Sequence, residues 1–452
     1  MKPAERAVLV LIVVTVAVAL RWGFTASAFQ QNPLRADAGH YAQYAANLVE
    51  HGVFSFSPAV PPPPDSFRSP GYPVFLAGCR LLGGDRWLQL AWALQVALGG
   101  LTVLLGYRLA RVFLPFAPAL AAALLAALSP HLVVAPAFVL TECVTTFVLT
   151  LGLWLFARAE CLGGRYRFAL ASLTFGAAAL CNEALAFVPI VLAWPLLRHH
   201  GARCALAFLV VGLLPVLAWG IRNHTIDLAH HGSERVIASI SHGSYPGMVY
   251  ENPRLFGFPY REDPRQPEFG SSWQGLRTVL AERISADPMR YAVWYLLEKP
   301  VWLWGFELVQ GSDVCVYEVG NSPYERQPVM RATHWLMHVL HWPVMLLAAG
   351  AAVTLAWNRR RRFGVVPQAL GLLAVFGTLA YLPVIPDPRY LQPFRPALFV
   401  LTGASVWAIG SWALRNRTLR RALARSASRR QPDVAGAGGQ LADQHGDVAE
   451  AQ

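Results

Sequence analysis

Long apolar segments, separated by short polar ones, dominate the pattern of this chain. A helix of roughly 20 apolar residues crosses the hydrocarbon core of a bilayer. Such segments are predicted at 7–29, 87–107, 113–133, 138–157, 168–181, 184–197, 204–221, 333–357, 365–386 and 391–412. The pattern therefore predicts an all-α polytopic membrane protein with about ten transmembrane helices.

The segments 168–181 and 184–197 are short for full crossings. They are interpreted either as two short helices broken around 181–183 or as one re-entrant unit. Broken helices of this kind tend to line cavities.

The composition agrees with this class. Charged residues make up only 14% of the 452 residues, whereas a soluble protein carries about 25%. The net charge is +12, but the basic residues lie in short segments between spans, so no nucleic-acid partner is expected. The six cysteines lack CxxC spacing and are interpreted as small core residues, not as a disulfide framework or a metal cluster.

Basic residues concentrate in alternate loops, which are expected to be cytoplasmic. These loops contain Lys2 and Arg6, Arg108 and Arg111, Arg158 to Arg167, Arg198 and Arg203, 359–362, and the tail from Arg415. Ten spans then place both termini in the cytoplasm and leave the loops 30–86 and 222–332 on the outer face.

Four parts are predicted along the chain. They are an N-terminal transmembrane catalytic module at 1–221 that includes the first outer loop 30–86, a large mixed outer loop at 222–332, C-terminal transmembrane helices at 333–412, and a cytoplasmic tail at 413–452. Within the tail, 413–430 is predicted as a basic, helical segment attracted to anionic lipid, and 431–452 as disordered.

The first outer loop opens with helical spacing over 37–51, which predicts an amphipathic helix on the membrane surface. Its apolar stripe comprises Ala38, Tyr41, Ala45 and Leu48, and its polar face comprises Asp37, His40, Tyr44, Asn47 and His51. A carboxylate near lipid is costly, which makes Asp37 a functional candidate. An ordinary N-cap role for Asp37 is an equal alternative.

Arg68 follows the stiff proline run 61–64 and precedes the turn at Ser69, with a short apolar helix predicted at 74–82. A guanidinium at this place suits a phosphate or phospholipid clamp. A partner role toward Asp65 or toward lipid headgroups is the alternative.

Two further acids are expected on the outer side. Glu142 lies at the outer end of a span, where a lone carboxylate usually faces a cavity or a partner. Glu183 lies between the two short helices, and a structural salt bridge is the preferred interpretation for it. Convergence of these acids with Asp37 around a divalent cation is a weak metal signal.

Arg222 and Arg389 are basic residues on the outer side, against the general charge bias. Each is interpreted either as a snorkelling side chain or as part of a site for an anionic lipid headgroup. The aromatic segment 290–306 of the large loop is expected to cover that site or to anchor at the membrane interface.

With these parts together, the chain resembles the GT-C superfamily of membrane glycosyltransferases, in particular the bacterial branch related to protein O-mannosyltransferases and the lipid A aminoarabinose transferase. The resemblance covers about residues 1–412. The matching pieces are Asp37 with Tyr41 one turn on, the Arg68-Ser69-Pro70-Gly71-Tyr72-Pro73 element, Thr141-Glu142, Trp219-Gly220-Ile221-Arg222-Asn223, and Arg389-Tyr390.

The resemblance implies that Asp37 is the catalytic acid of the first loop. It further implies that basic outer residues hold the donor phosphate and that outer acids bind metal or acceptor. The expected donor-phosphate residues are Arg68, Arg222, Arg389 and Tyr390, the expected acceptor or metal residues are Glu142, His40 and Tyr41, and the expected metal pair is Asp37 and Glu142.

Two departures from the family pattern stand out. Ala38 follows Asp37 where many relatives carry a second acid, which weakens the case for Mg²⁺ or Mn²⁺. The break between the short helices reads Cys181-Asn182-Glu183 where relatives often have Thr-Arg.

The function expected from the sequence is transfer of a sugar from a polyprenyl-phosphate donor to an acceptor hydroxyl, with inversion and with Asp37 as general base. The acceptor is a lipid, a glycan or a protein, and membrane lipids are further partners. The expected location is the periplasmic face of a bacterial inner membrane. A flippase or transporter of a lipid-linked sugar, and a non-catalytic lipid-binding subunit, are the alternatives.

Overall fold

The computed structural model describes residues 1–251, 257–357 and 364–428, with side chains up to 416. Its α-helices are α1 Pro3–Ser27, α2 Asp37–Glu50, α3 Gly71–Gly83, α4 Trp87–Ala110, α5 Phe116–Leu128, α6 Pro130–Val134, α7 Glu142–Leu162, α8 Arg165–Ala179, α9 Val188–His200, α10 Ala202–Thr225, α11 Gly232–Gly243, α12 Gln266–Phe269, α13 Trp273–Ala286, α14 Pro288–Val293, α15 Lys299–Leu303, α16 Pro323–Arg326, α17 Pro328–Ala356, α18 Val365–Tyr381 and α19 Arg395–Ser428. Within these described ranges there is no β-strand, only two isolated bridges. The predicted all-α polytopic class is confirmed.

Each of the ten predicted spans overlaps a helix. Six described helical stretches are long and apolar enough to cross a membrane on their own, and a bent pair would make a seventh. The six stretches are Pro3–Ser27, Gly71–Ala110, Glu142–Leu162, Ala202–Thr225, Pro328–Ala356 and Pro388–Asn416. Helices α8, α9 and α18 are shorter, so the count of ten crossings stays a prediction.

The span predicted at 113–133 is not continuous. Helix α5 ends at Leu128, and the next helical stretch, Pro130–Ala137, is bent by 56° from it. Proline has no N–H to continue the helix and disfavours a helical conformation at the residue before it. Residues 131–137 are buried and belong to this second, bent helical stretch.

The helix predicted at 37–51 is present as α2, but part of its polar face is covered by the chain. Tyr44 and Asn47 are both buried. The Asn47 amide donates hydrogen bonds of 2.8 and 2.9 Å to the carbonyls of Ser55 and Ser57. The chain after α2 therefore folds back over the middle of this face, at Tyr44 and Asn47.

Glycine allows α8 and α10 to approach closely. A Cβ on Gly176 would lie 2.5 Å from the carbonyl oxygen of Gly212. Small residues at helix contacts are typical of membrane proteins, where backbone proximity supplies the packing energy. This packing holds α8, and with it the break after Ala179, in place beside the site described below.

The chain divides into the unit Met1–Ser405 and a second unit, Val406–Gln452. In the second unit, helix extends to Ser428, in line with the predicted helical segment 413–430 as far as that residue. The predicted disordered segment 431–452 and the basic loop 359–362 lie outside the described residues. The proposed division at 221 and 332 stays a prediction.

Candidate active site

A cavity of about 570 Å³ opens where the ends of several helices meet. Its wall combines the first residues of α2 and α7, the chain at 67–69, the break at 181–187, helix α11, and the segment 380–393. Its charged lining residues are Asp37, Arg68, Glu142, Glu183, Glu234, Arg235 and Arg389. This volume is typical of a small-molecule site.

Asp37 is the first residue of α2, and its side chain makes no capping hydrogen bond because the N-cap position is Ala36. Instead, its Oδ1 pairs with Arg68 Nη2 at 2.6 Å and its Oδ2 with Arg389 Nη2 at 3.2 Å. Burial alone would raise the pKa of Asp37, but the two arginines outweigh it and lower the pKa to about 2. The carboxylate is therefore ionised and clamped by two cations.

Arg389 joins two carboxylates. Its Nε donates to Glu142 Oε1 while Nη2 reaches Asp37. Its backbone N–H donates to Asp387 Oδ1 at 3.0 Å, which caps the 3₁₀ helix Pro388–Phe394. The guanidinium is thus fixed between the first turns of α2 and α7.

Arg68 is held through its backbone. Its N–H donates to the Tyr44 hydroxyl at 3.3 Å, and that hydroxyl donates to Asp65 Oδ1. Asp65 also accepts the backbone N–H groups of Phe56 and Phe67 at 3.0 Å each. Asp65 therefore holds the loop after α2 together through these hydrogen bonds. The guanidinium of Arg68 pairs with Asp37 and not with Asp65.

His40 and Tyr41 lie beside this cluster in different ways. His40 Nδ1 is 3.3 Å from Arg68 Nη2, but His40 does not line the cavity. Burial, followed by Arg68, lowers the pKa of His40, which favours the neutral ring. Tyr41 does line the cavity, and burial raises its pKa, which keeps the phenol protonated.

Arg222 is not brought to this cluster. Its Nη1 donates to the backbone carbonyl of Asp65 at 2.8 Å and to Asn223 Oδ1 at 3.0 Å. Its guanidinium lies 4.8 Å from the ring centroid of Trp219, outside the cavity lining. The structure thus gives Arg222 a role in holding the first loop against α10.

A second ion pair lines the cavity: the salt bridge expected for Glu183 is present, but its partner, Arg235, was not predicted. Arg235 Nη2 pairs with Glu183 Oε2, and the Ser69 hydroxyl donates to Glu183 Oε1 at 2.7 Å. Arg235 Nε also donates to the carbonyl of Phe67 at 3.2 Å. Nothing in the sequence separates Arg235 from the other arginines of the large loop.

Helix α11, which carries Arg235, supplies the cover that had been expected from 290–306. Seven of its residues line the cavity, whereas none of 290–306 does. Within that segment, Trp294 is fully buried and its Nε1 donates to the Gly243 carbonyl at 3.1 Å.

Two tyrosines form another part of the wall. The rings of Tyr381 and Tyr390 stack with centroids 5.3 Å apart and planes 5° from parallel. The Tyr381 hydroxyl donates to Asn182 Oδ1 at 3.0 Å. The break at 181–183 is therefore tied to the segment that carries Arg389.

The expected cation site does not fit the side chains. No group of three or more His, Cys, Asp or Glu residues suited to a metal occurs in the part of the chain that the structure describes. Both oxygens of Asp37 and one oxygen of Glu142 are already paired with arginines. A divalent ion prefers several free oxygen ligands, which this pair does not offer.

The comparisons with solved structures identify the fold. The oligosaccharyltransferase of Archaeoglobus fulgidus in its apo form matches with a TM-score of 0.52 and 14% identity, over 93% of this chain and 52% of that one. The same archaeal enzyme in complex with an inhibitory peptide and a dolichol-phosphate matches with a TM-score of 0.51 and 14% identity, over 92% and 52%. ArnT from Cupriavidus metallidurans bound to undecaprenyl phosphate gives a TM-score of 0.49 at 14% identity, over 88% and 59%.

The archaeal oligosaccharyltransferase is a GT-C glycosyltransferase, and the predicted resemblance is confirmed at the level of the fold alone. The chain spans about half the length of the oligosaccharyltransferase chains. No family model and no curated protein matches its sequence.

Proposed function

We propose that this protein is a glycosyltransferase that moves a sugar from a polyprenyl phosphate to an acceptor hydroxyl, with the cavity around Asp37 as its active site. The observation that carries the proposal is the clamped carboxylate: Asp37 between Arg68 and Arg389 in a cavity of about 570 Å³. A GT-C fold around that cavity supports lipid-linked sugar transfer. The proposed location is the periplasmic face of a bacterial inner membrane.

Asp37 acts as the general base in this proposal. The acceptor oxygen attacks the anomeric carbon while its proton passes to a carboxylate oxygen of Asp37. The bond from the anomeric carbon to the phosphate oxygen breaks, and its electron pair leaves with the phosphate. A single displacement of this kind inverts the anomeric configuration.

Arg68 and Arg389 supply positive charge for the departing phosphate. Charge-assisted bonds from guanidinium to phosphate are strong and often bidentate. A donor phosphate therefore competes with Asp37 for these arginines. As they turn toward the phosphate, Asp37 loses its cations and becomes a stronger base, so the base is activated when the donor is present.

Glu142 serves as a positioning residue, because it holds Arg389 through Nε while Asp37 pairs with Nη2. Its other oxygen, Oε2, is buried without a hydrogen-bond partner. An acceptor hydroxyl would satisfy this oxygen, and Tyr41 lies on the same wall. Tyr390 supports Arg389 through its stack with Tyr381.

The test of this function is transfer by the purified protein in liposomes, with a panel of polyprenyl-phosphate sugars, measured in the presence and in the absence of EDTA. Transfer is expected to proceed at the same rate with and without the chelator, because the arginines supply the positive charge for the departing phosphate. Loss of transfer in EDTA that Mg²⁺ or Mn²⁺ restores would contradict the arginine clamp. Movement of the donor across the bilayer without transfer would support a flippase instead.

The pH dependence of transfer is expected to reflect the pairing of Asp37 with Arg68 and Arg389. With both arginines in place the pKa of Asp37 is about 2, so Asp37 imposes no acid limb on kcat/KM across the neutral range. Arg68→Gln removes one cation, which raises this pKa and moves the acid limb of kcat/KM to higher pH, since kcat/KM reports the free enzyme.

Arg222→Gln is the matched control for the pH profile, because Arg222 contacts the loop but not Asp37. Its acid limb is expected to coincide with that of the wild type. Identical profiles for Arg68→Gln and the wild type would show that Asp37 is not the titrating group.

A further inference from the structure

Asp387 is a buried carboxylate that forms no ion pair with the charged side chains of the described residues. It is only 4% exposed. The guanidinium of Arg389, two residues on, pairs with Asp37 and Glu142 instead. Burial of a carboxylate is costly unless hydrogen bonds stabilise it, so the hydrogen bonds of Asp387 indicate its role.

Both carboxylate oxygens of Asp387 accept backbone N–H groups. Oδ1 accepts the N–H of Arg389 at 3.0 Å, and Oδ2 accepts that of Gln310 at 3.1 Å. Gln310 lies 77 residues earlier in the chain, in the large outer loop. The carboxylate therefore fastens the backbone of the arginine to the backbone of that loop.

The same tripeptide occurs a second time, at 263–265, and the comparison separates what is local from what is tertiary. Asp263 Oδ1 also accepts the N–H of the arginine two residues on, at 2.9 Å, as aspartate commonly does in such turns. Its second oxygen, however, accepts from the side chain of Arg283. The turn is thus a property of the tripeptide, whereas the bond to Gln310 is specific to Asp387.

Gln310 extends this connection to the wall of the cavity. Its side-chain amide donates to the Gly257 carbonyl and, at 3.1 Å, to the Tyr260 hydroxyl. The Tyr260 ring stacks on His242 with centroids 3.6 Å apart and planes 7° from parallel. His242 belongs to α11 and lines the cavity. These contacts connect the backbone of Arg389 with the helix that covers the cavity.

The place of the Arg389 guanidinium depends on its backbone. The side chain bridges Asp37 and Glu142 at once, and a guanidinium binds a phosphate bidentately only in a suitable orientation. A displacement of about 1 Å at a group of this kind can reduce a rate by about 10²-fold. Loss of the Asp387 bonds would therefore weaken the contact of Arg389 with a donor phosphate, although Asp387 does not line the cavity.

We propose that Asp387 is a positioning residue for donor binding, because it fixes the backbone of Arg389 against the large outer loop at Gln310. The inference rests on the proposed function, since Asp387 acts through an arginine that binds the donor phosphate. Its specific consequence is that the effect of Asp387 on the donor disappears when Arg389 is absent.

The experiment measures the dissociation constant of labelled undecaprenyl phosphate for the purified protein in lipid nanodiscs, in a double-mutant cycle of Asp387→Asn and Arg389→Ala. Asparagine keeps the shape of the side chain but offers one acceptor oxygen to two N–H groups. Asp387→Asn alone is expected to raise the dissociation constant by about 10-fold, since one bond remains and the displacement is partial. In the Arg389→Ala background it is expected to change the constant by less than about 2-fold, because the positioned side chain is gone.

Asp287→Asn is the matched control. Asp287 also precedes a proline and accepts a backbone N–H, that of Arg290 at 3.0 Å, but it lies at the start of α14 outside the cavity. This control is expected to leave the dissociation constant unchanged.

Gln310→Ala provides a second variant, so that the test stands if Asp387→Asn lowers the yield of folded protein. It keeps the backbone bond to Asp387 but loses the two side-chain bonds to the loop. It is expected to raise the dissociation constant by less than Asp387→Asn does, and again only where Arg389 is present.

An equal loss of affinity with and without Arg389 would indicate a general effect on the fold and would overturn the positioning role. Unchanged affinity in both Asp387→Asn and Gln310→Ala would overturn it as well. Donor binding and transfer by the wild type would stand in either case. Absence of undecaprenyl phosphate binding by the wild type would instead overturn the proposed function.

Discussion

Asp37→Asn protein is expected to fold and to lose transfer by about 10³-fold, the middle of the range for general acid–base catalysis. The amide is nearly isosteric with the carboxylate but accepts no proton from the acceptor. Arg389 keeps its pairing with Glu142 in this variant, so the cluster is not left without a counter-charge. The loss is expected in kcat, because the base acts in the displacement step.

The measurement is initial-rate transfer by detergent-purified protein, together with its thermal unfolding midpoint. Glu282→Gln is the control, as it neutralises an acid that is paired on the surface of the large loop. An unfolding midpoint close to that of the wild type, combined with loss of transfer, would show that the substitution affects the chemical step and not the fold. Near wild-type turnover by Asp37→Asn would remove Asp37 from the role of base.

Arg389→Ala is expected to have the second-largest effect and to act on both binding and stability. The side chain of Arg389 is 20% exposed and that of Glu142 only 10%. Removal of one partner of a buried ion pair lowers the free energy of unfolding by about 3–5 kcal/mol. The loss is expected to be smaller here, because both side chains keep some contact with solvent. The donor KM is expected to rise and kcat to fall by about 100-fold, because the leaving phosphate loses a cation.

Two further variants separate these effects. Arg389→Lys keeps the charge but cannot bridge Asp37 and Glu142 at once, so it is expected to recover stability only in part. Glu142→Gln combined with Arg389→Ala removes the unpaired buried charge and is expected to restore the unfolding midpoint but not turnover. Full activity of Arg389→Ala would contradict its role at the phosphate.

The local pattern of the sequence was sufficient to predict most elements near the site. Helix α2 follows from the spacing of its apolar and polar residues, which predicts a helix on the membrane surface. Tyr44 and Asn47 on its polar face are covered, because the chain after α2 offers its own carbonyls and Asp65 as partners. The periodicity of a single helix does not show which polar groups from other parts of the chain will form hydrogen bonds with it.

The members of the main cluster were also predictable one by one. Asp37, Arg68, Glu142 and Arg389 each occupy a place that is costly for a charge near lipid, and the structure brings all four to one cavity. Their roles in catalysis remain predictions.

The misplaced and missed residues share a cause. Arg222 looked equivalent to Arg389 in sequence, but its direction depends on how α10 meets the first loop, where it bonds the Asp65 carbonyl. Arg235 lies in a loop that mixes acids and bases evenly, so only the tertiary fold shows which arginine faces the cavity. The bend at Pro130 was visible as a proline, but its consequence for the predicted span depends on packing.

The most direct test of the account follows one labelled neutral-hexose undecaprenyl phosphate in liposomes that contain the wild type or Asp37→Asn. Movement of label to acceptor and movement of the donor across the bilayer are recorded in the same vesicles. The wild type is expected to form inverted glycoside product and Asp37→Asn about 10³-fold less product. Asp37→Asn is expected to bind the donor at least as tightly as the wild type, because its uncharged amide no longer competes with the phosphate for Arg68 and Arg389. Equal product formation by the two proteins, or donor movement without any product, would contradict the account.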